Sequence, residues 1–275
     1  MQQRLIELSA AAGVDPNVGE PFAVWLRLRD TYGRRVTIVD LYELVAARVG
    51  SVASELPIRH REGLSRAALA VVYPGFQVVD QDSARTPEPV VLCAYDDRWP
   101  LRFEEWRGRV ATALGGRPRI EHVGSTSVPG MSAKPVIDIQ VSVPDHSDED
   151  AYVPALRGLG MSRRSRERDR RYLRPGAGSP RTVQFHVCDA GSQWERDHLL
   201  FRDYLRSDRD SRDTYGRAKQ EAAATWRDDR IAYSEAPTGV ALVSARTPSR
   251  CAGSRTRRRR WRAWSRSAAP TSATT

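Results

Sequence analysis

The spacing of apolar residues predicts a small helical module over residues 1–80. Apolar side chains recur there at intervals of three and four residues, which is the period of a helix that buries one face. A glycine- and proline-containing break follows the first of these segments at residues 13–19. Thr37 followed by Asp40 is typical of a capped helix start, and a further helix is expected near Pro57.

After residue 89 the pattern changes to short apolar runs between longer periodic segments. Helical spacing begins at Trp99 and ends at Gly115–Gly116. The remaining pattern predicts a strand-like run at 90–92, strands at 118–123, 135–143 and 182–188, an edge strand at 169–173, a helix at 150–159 and closing helices from 194 to 230. This order predicts an α+β fold, a mixed sheet with flanking helices, over residues 90–236. Residues 81–89, polar and proline-containing, are expected to form a linker.

The positive charge of the chain is concentrated at its C-terminal end. The formal net charge is +10, and residues 246–275 contain nine arginines and no acidic residue. That tail has no apolar periodicity, so we expect it to be disordered. Its four arginines at 257–260, beside Trp261 and Trp264, suggest nucleic-acid or membrane-surface binding. The alternative is that the tail results from a shift of the reading frame near residue 237, where the composition changes abruptly.

The composition is that of a chain without membrane spans. No apolar run approaches the ~20 residues needed to cross a bilayer, and the N-terminus lacks the apolar segment of a signal peptide. A cytoplasmic location is therefore expected. The three cysteines are far apart and lack metal-site spacing, which favours free thiols.

Residues 120–141 carry the candidate chemistry. An apolar run up to Val123 leads into a Gly/Ser/Thr turn, and the next apolar run contains Asp138. Glycine permits close approach of the backbone, hydroxyl and N–H groups can face an anion, and a lysine can neutralise a phosphate. The predicted phosphate-binding residues of this segment are Gly124, Ser125, Thr126, Ser127 and Lys134.

Asp138 is the candidate catalytic and metal-binding acid, together with Lys134 and His186 as candidate catalytic residues. Gln140 lies two residues further on the same strand face, where a two-magnesium transferase would need a second carboxylate. If their strands are neighbours, His122 and His186 converge with Asp138 into a metal site better suited to Zn²⁺ than to paired Mg²⁺. The alternative is that both histidines are hydrogen-bonded core residues. The expected cofactor is thus a divalent metal, either Mg²⁺ or Mn²⁺, or Zn²⁺ if the histidines are ligands.

The closing helices add two candidate anion-binding residues. Arg202 can clamp a phosphate, and Lys219 can reach the same anion from the next helix. The alternative for Arg202 is an ion-pair network with acidic neighbours such as Asp203.

Two blocks of this sequence resemble the GrpB family. They are Gly-Ser-Thr-Ser-Val-Pro-Gly at 124–130, followed by Lys-Pro and an Asp in an apolar strand, and Leu-Leu-Phe-Arg-Asp-Tyr-Leu-Arg at 199–206. The resemblance covers residues 90–236 and implies a nucleotidyltransferase-like fold with a histidine at position 186. It leaves two functions open. One is binding of a nucleotide or a phosphorylated small molecule with metal-dependent nucleotidyl transfer, and the other is a non-catalytic module that assists another protein, like the domain appended to some bacterial dephospho-CoA kinases. The chain has no GxxxxGK[ST] motif, which argues against P-loop kinase activity.

Overall fold

The computed structural model of the protein describes residues 3–72, 77–78, 89–116, 118–176 and 178–236. Its helices are α1 (Gln3–Ala11), α2 (Pro21–Tyr32), α3 (Ile38–Arg48), α4 (Ile58–Val72), α5 (Arg98–Ala113), α6 (Val153–Gly158), α7 (Gln193–Ser207), α8 (Arg209–Thr225) and α9 (Arg230–Glu235). Its strands are β1 (Gln77–Val78), β2 (Arg119–Val123), β3 (Ile137–Val143), β4 (Met161–Arg166), β5 (Arg170–Pro175) and β6 (Val183–Asp189). The predicted tail at 246–275 and all but the last residue of the predicted linker lie outside the described residues. Within the described part, no helix is both long and apolar enough to cross a membrane.

The strands form one mixed sheet in the order β1-β4-β5-β6-β3-β2. β3 and β6 run parallel, while the other neighbouring strands are antiparallel. The predicted α+β fold with a mixed sheet and flanking helices is therefore confirmed. β3 lies between β2 and β6, so residues of all three strands meet around its N-terminal end.

One face of this sheet is the hydrophobic core. Alternate residues of β3 and β6 project there, because successive side chains of a strand point to opposite faces. They pack with α5 and α6 in a cluster that includes Trp99, Phe103, Val110, Ile137, Ile139, Val141, Leu156, Leu173, Phe185 and Val187. The intervening residues, Asp138 and Gln140 in β3 and His186 in β6, project to the opposite, polar face. Ser142 of that face donates a hydrogen bond to Glu195 of α7 (2.8 Å), so α7 lies on the polar face.

The N-terminal helices belong to a second compact unit. Residues 3–69, 89–90 and 217–236 form this unit, and the sheet with its helices forms the other unit. The predicted capping box is present, because Asp40 accepts a hydrogen bond from the Thr37 backbone N–H (2.6 Å) at the start of α3. The predicted domain limits, 1–80 and 90–236, stay a prediction.

Three local predictions are wrong. Residues 90–92 form no strand; the N–H of Val90 instead donates to the carbonyl of Arg227 (2.6 Å). The charge pattern of the basic segment 163–171 predicts that most of it is a solvated loop, but it forms most of the β4–β5 hairpin. Consequently β5 is not an edge strand, since β4 pairs with one side of it and β6 with the other.

Candidate functional site

The turn after β2 is built around Gly124. Its φ of 70° lies in the left-handed region that favours glycine, and a short 3₁₀ turn, Ser125–Ser127, follows. A Cβ at Gly124 would lie 2.4 Å from Oδ2 of Asp138 and 2.8 Å from its Cγ. The closeness follows from the strand register, because Val123, next to the glycine, is paired with Asp138. Only a residue without a side chain lets the turn and the carboxylate approach this closely.

The carboxylate of Asp138 is held by side chains of β6. Its Oδ1 accepts hydrogen bonds from Nε2 of Gln184 and from Nε2 of His186 (3.1 Å). Burial acts to raise the pKa of Asp138, but these hydrogen bonds and the positive charge of Lys134 outweigh it and lower the pKa. The group is therefore ionised at neutral pH, with Oδ2 directed to the Gly124 turn.

Gln184 is held in place by two hydrogen-bond donors on the side away from Asp138. Its Oε1 accepts hydrogen bonds from the hydroxyl of Tyr172 (2.7 Å) and from Nη2 of Arg181 (2.6 Å). Because both partners donate to the oxygen, the amide NH₂ must face Asp138. Sequence reasoning missed Gln184, although it is the β6 residue that pairs with Asp138.

His186 is oriented from its other side by Arg170. Nη1 of Arg170 lies 3.4 Å from Nδ1 of the imidazole. A guanidinium can only donate, so Nδ1 accepts and the proton of the neutral ring is on Nε2, facing Asp138. Burial lowers the pKa of His186 and the charge of Arg170 lowers it further, against the opposing effect of Asp138. His186 therefore acts as a neutral hydrogen-bond donor to the carboxylate.

Tyr215 of α8 completes the group around the turn. Burial raises the pKa of its phenol; a hydrogen bond with Ser125 lowers it, and the charge of Asp138 raises it. Tyr215 is therefore close enough to interact with both Ser125 and the carboxylate. In the sequence, Tyr215 and Lys219 form a Tyr-x-x-x-Lys pattern downstream of the block at 199–206, which is the signal that points to this tyrosine.

The hydroxyl groups of Thr126 and Ser127 stabilise the turn itself. Thr126 Oγ1 lies 3.0 Å from Nε2 of His122 and donates to the carbonyl of Val136 (3.3 Å). Ser127 Oγ donates to the carbonyl of Gly124 (2.6 Å). Both side chains are buried. Of the four predicted turn residues, Gly124 and Ser125 are thus the ones that face the site.

His122 does not join Asp138 and His186, so the expected three-residue metal site is contradicted. His122 is paired with the core residue Ile139, and its ring stacks on Phe103 with 4.8 Å between centroids. Directly opposite residues of an antiparallel pair share a face, so His122 points into the core, away from the face of Asp138. Burial lowers its pKa to about 4, the charges of Arg206 and Arg202 contributing and that of Asp138 opposing. Among the described residues, a three-residue group whose possible ligand atoms lie within 4.8 Å of one another occurs elsewhere, at Asp145, His146 and Asp189. His146 hydrogen-bonds to Asp189 and to the carbonyl of Arg168, whereas Asp145 accepts hydrogen bonds from Ser147.

Arg202 forms ion pairs with acidic neighbours, which was the alternative to phosphate binding. Its Nη1 donates to Glu121 (2.8 Å) and to the carbonyl of His122 (3.0 Å), and its Nε donates to Asp203 (2.8 Å). These contacts anchor α7 to β2, and Arg202 is a structural residue in this arrangement. Lys219 belongs to the other compact unit, so its role in an anion site stays a prediction.

The donor set does not fit a two-metal centre. Gln140 supplies a neutral amide on the face of Asp138, and Gln184 supplies another on the neighbouring strand. Oε1 of Gln140 is fully buried and has no hydrogen-bond partner among the described residues. One ionised carboxylate, with Oδ2 free of the β6 hydrogen bonds, fits a single Mg²⁺ or Mn²⁺ whose remaining ligands come from phosphate oxygens or water.

Comparisons with known proteins agree on one family. Residues 89–242 match the family model described as GrpB protein. The UPF0157 protein SCO7215 of Streptomyces coelicolor is 41% identical over 153 residues, which cover 55% of this chain and 80% of that protein. A dephospho-CoA kinase of Mycolicibacterium paratuberculosis is 31% identical over 172 residues, covering 53% of this chain and 42% of the kinase. The crystal structure of conserved protein GrpB from Enterococcus faecalis superposes with a TM-score of 0.47 at 31% identity, over 52% of this chain and 88% of that one.

Proposed function

Because the chain belongs to the GrpB family, we propose that its sheet domain binds a phosphorylated small molecule, such as a nucleotide, at the Gly124–Ser125 turn. The observation that carries this proposal is the close approach of an ionised carboxylate, Asp138, to the backbone of that turn. In this function Lys134 neutralises phosphate charge, and Asp138 holds the cation that accompanies the phosphate.

The electrostatics of the site support a phosphate that arrives with a cation. An ionised Asp138 on its own repels a phosphate, so a positive charge must lie between the two. Lys134 is near enough to lower the pKa of Asp138, and Oδ2 is the carboxylate oxygen directed to the turn. A single Mg²⁺ or Mn²⁺ at Oδ2 supplies further neutralisation. Zn²⁺ is disfavoured, because His122 lies in the core and Nε2 of His186 donates a hydrogen bond to Asp138.

Nucleotidyl transfer is a more specific version of this proposal. The neutral side chain of Gln140 argues against transfer with two metal ions. Two-metal transfer needs carboxylates that bridge both ions, whereas the strand neighbours of Asp138 on this face are the amides of Gln140 and Gln184, and Glu121 of the same face is paired with Arg202. Transfer with one metal would rely on Asp138 and on the ligand's own phosphates for cation binding.

The second candidate function is a non-catalytic module that assists another protein. The hydrogen bonds of Thr126, Ser127 and Arg202 favour this second function. All three residues are predicted phosphate ligands, but their side chains bond to other parts of the protein. The partial match to a dephospho-CoA kinase is compatible with such a role.

Titration calorimetry of the full chain with ATP and CTP, each with Mg²⁺, Mn²⁺ or Zn²⁺, tests the binding proposal. We expect binding with Mg²⁺ or Mn²⁺, weakened about tenfold or more by Lys134→Ala and Asp138→Asn, since each variant loses one charge-assisted contact. Arg107→Ala and Asp213→Asn are matched controls, because both side chains are exposed and neither is among the residues around the Gly124 turn. Absence of heat for every nucleotide and metal pair would remove the nucleotide site.

Incorporation of labelled nucleotide separates the two candidate functions. If the wild type incorporates more labelled nucleotide than Asp138→Asn does, the result supports nucleotidyl transfer. Equal background in both, together with calorimetric binding, leaves a binding domain. Equal background without binding leaves the accessory function.

A further inference from the structure

A polar cavity lies on the other side of the sheet domain from Asp138. Its volume is about 560 Å³, a size typical of small-molecule sites. Its wall contains four arginines and three acidic residues, namely Arg157, Arg163, Arg166, Arg171, Asp148, Glu149 and Asp150. Neither the family blocks nor the site at Asp138 includes any of these residues.

Three of the arginines converge on a single carboxylate. Glu149 accepts hydrogen bonds from Nε of Arg166 and Nε of Arg171, each at 2.7 Å, and also pairs with Arg163. The side chains of Arg163, Arg171 and Glu149 are only 13%, 11% and 12% exposed. The other two acidic residues of the wall, Asp148 and Asp150, are exposed to solvent. The buried part of the cavity therefore holds more positive than negative charge.

A β-bulge creates this convergence. Arg163 pairs with Leu173, whereas Arg166 pairs with Arg171, and the register shifts between Arg163 and Ser165. In a regular strand, residues three apart point to opposite faces. The extra residue of the bulge places Arg163 and Arg166 on the face of the core residue Leu173, beside Arg171.

The positive charges of the clustered arginines are not fully balanced by the carboxylate of Glu149. Burial lowers the pKa of Arg163, and the neighbouring charges of Arg166 and Arg171 lower it further. Nε of Arg163 is buried and has no hydrogen-bond partner among the described residues. Buried positive charges in excess are costly unless an anion accompanies them, and guanidinium groups match the geometry of phosphate oxygens.

We propose that the cavity around Arg163, Arg166 and Arg171 binds a phosphate or pyrophosphate group of a small molecule. Glu149 holds the three guanidinium groups in position, and exposed Arg157 contacts the anion at the cavity mouth. This site is independent of the function proposed for Asp138, because it lies on the opposite face of the sheet.

The test is calorimetric titration with pyrophosphate, with EDTA present and in the Lys134→Ala background, so that the Asp138 site does not contribute. We expect Arg163→Gln to weaken binding about tenfold or more, and exposed Arg157→Gln to weaken it less. Arg107→Gln on α5 is the matched control and should bind as its parent does. Unchanged binding in both cavity variants would overturn the proposal, as would citrate binding equal to that of pyrophosphate.

Glu149→Gln provides a second readout that does not depend on the affinity of the other variants. Without its carboxylate the arginines repel one another, so this variant should have a lower Tm in phosphate-free buffer. Pyrophosphate should then raise the Tm of the variant more than it raises that of the parent, at matched ionic strength. An equal loss of Tm with and without pyrophosphate would show that the arginine cluster is only structural.

Discussion

At the scale of single residues, Gly124 has two separable reasons to be glycine, its positive φ and its contact with Asp138. Gly130 ends the same family block with a φ of 77°, but a Cβ there meets nothing within 4 Å. We expect Gly130→Ala to lower the free energy of unfolding by about 1 kcal/mol through backbone strain alone. Gly124→Ala should cost about 2 kcal/mol more, since its Cβ collides with the carboxylate. Urea unfolding of the two variants measures the difference, and equal losses would mean that the close approach does not constrain the turn.

His122 makes stability depend on pH. Its pKa falls from the ordinary 6.5 to about 4 in the folded protein, because burial disfavours the charged ring. As pH falls below 6.5, the unfolded chain binds a proton that the folded chain does not, so stability is lost progressively until about pH 4. The shift corresponds to about 3 kcal/mol. Urea unfolding between pH 7 and pH 4 should therefore show a smaller loss for His122→Gln than for the wild type. The exposed His60→Gln should behave as the wild type, and identical slopes for all three proteins would contradict this assignment.

At the scale of elements, local patterns predicted β2, β3 and β6 but not their register. The turn between β2 and β3 and the apolar alternation of β3 are local features, so both strands were found from the sequence. Alternation shows which residues of one strand share a face, yet only pairing decides which face meets the neighbouring strand. The pairing of His122 with Ile139 sends the histidine into the core, and the pairing of Asp138 with Gln184 brings the amide to the carboxylate. Neither pairing could be derived from spacing alone.

The β4–β5 hairpin shows a different limit of sequence analysis. Arginines occupy both faces of these strands, so the apolar alternation that marks a strand is absent. The bulge near Arg164 further breaks the period of two. The hairpin is nevertheless stable in its context, because β5 pairs with β6 and Leu173 is fully buried in the core. Long-range pairing overrides a local composition that is typical of a loop.

At the scale of the whole molecule, the compact units do not follow the order of the chain. Residues 217–236 group with residues 3–69, although most of the sheet domain lies between them in sequence. One buried contact within that unit is the ion pair between Arg61 and Asp229 (3.1 Å), with side chains 9% and 6% exposed. Contacts between such distant segments leave no periodic signal, so sequence patterns do not indicate that the C-terminal segment packs with the N-terminal helices.

Asp229 is accordingly expected to control the stability of the N-terminal helices. It accepts hydrogen bonds from Arg61 and from the hydroxyl of Tyr42 (3.2 Å), and its other oxygen caps α9 through the N–H of Ala232 (2.9 Å). Asp229→Ala leaves a buried guanidinium without its carboxylate and removes a helix cap, a loss of about 4 to 6 kcal/mol. Asp213→Ala, which breaks an exposed pair with Arg209, should cost less than about 1 kcal/mol. Hydrogen exchange would locate the effect. Loss of amide protection in α3 and α4 for Asp229→Ala alone is expected, because Tyr42 and Arg61 lie in those helices, whereas unchanged protection there would show that the N-terminal helices fold without the C-terminal segment.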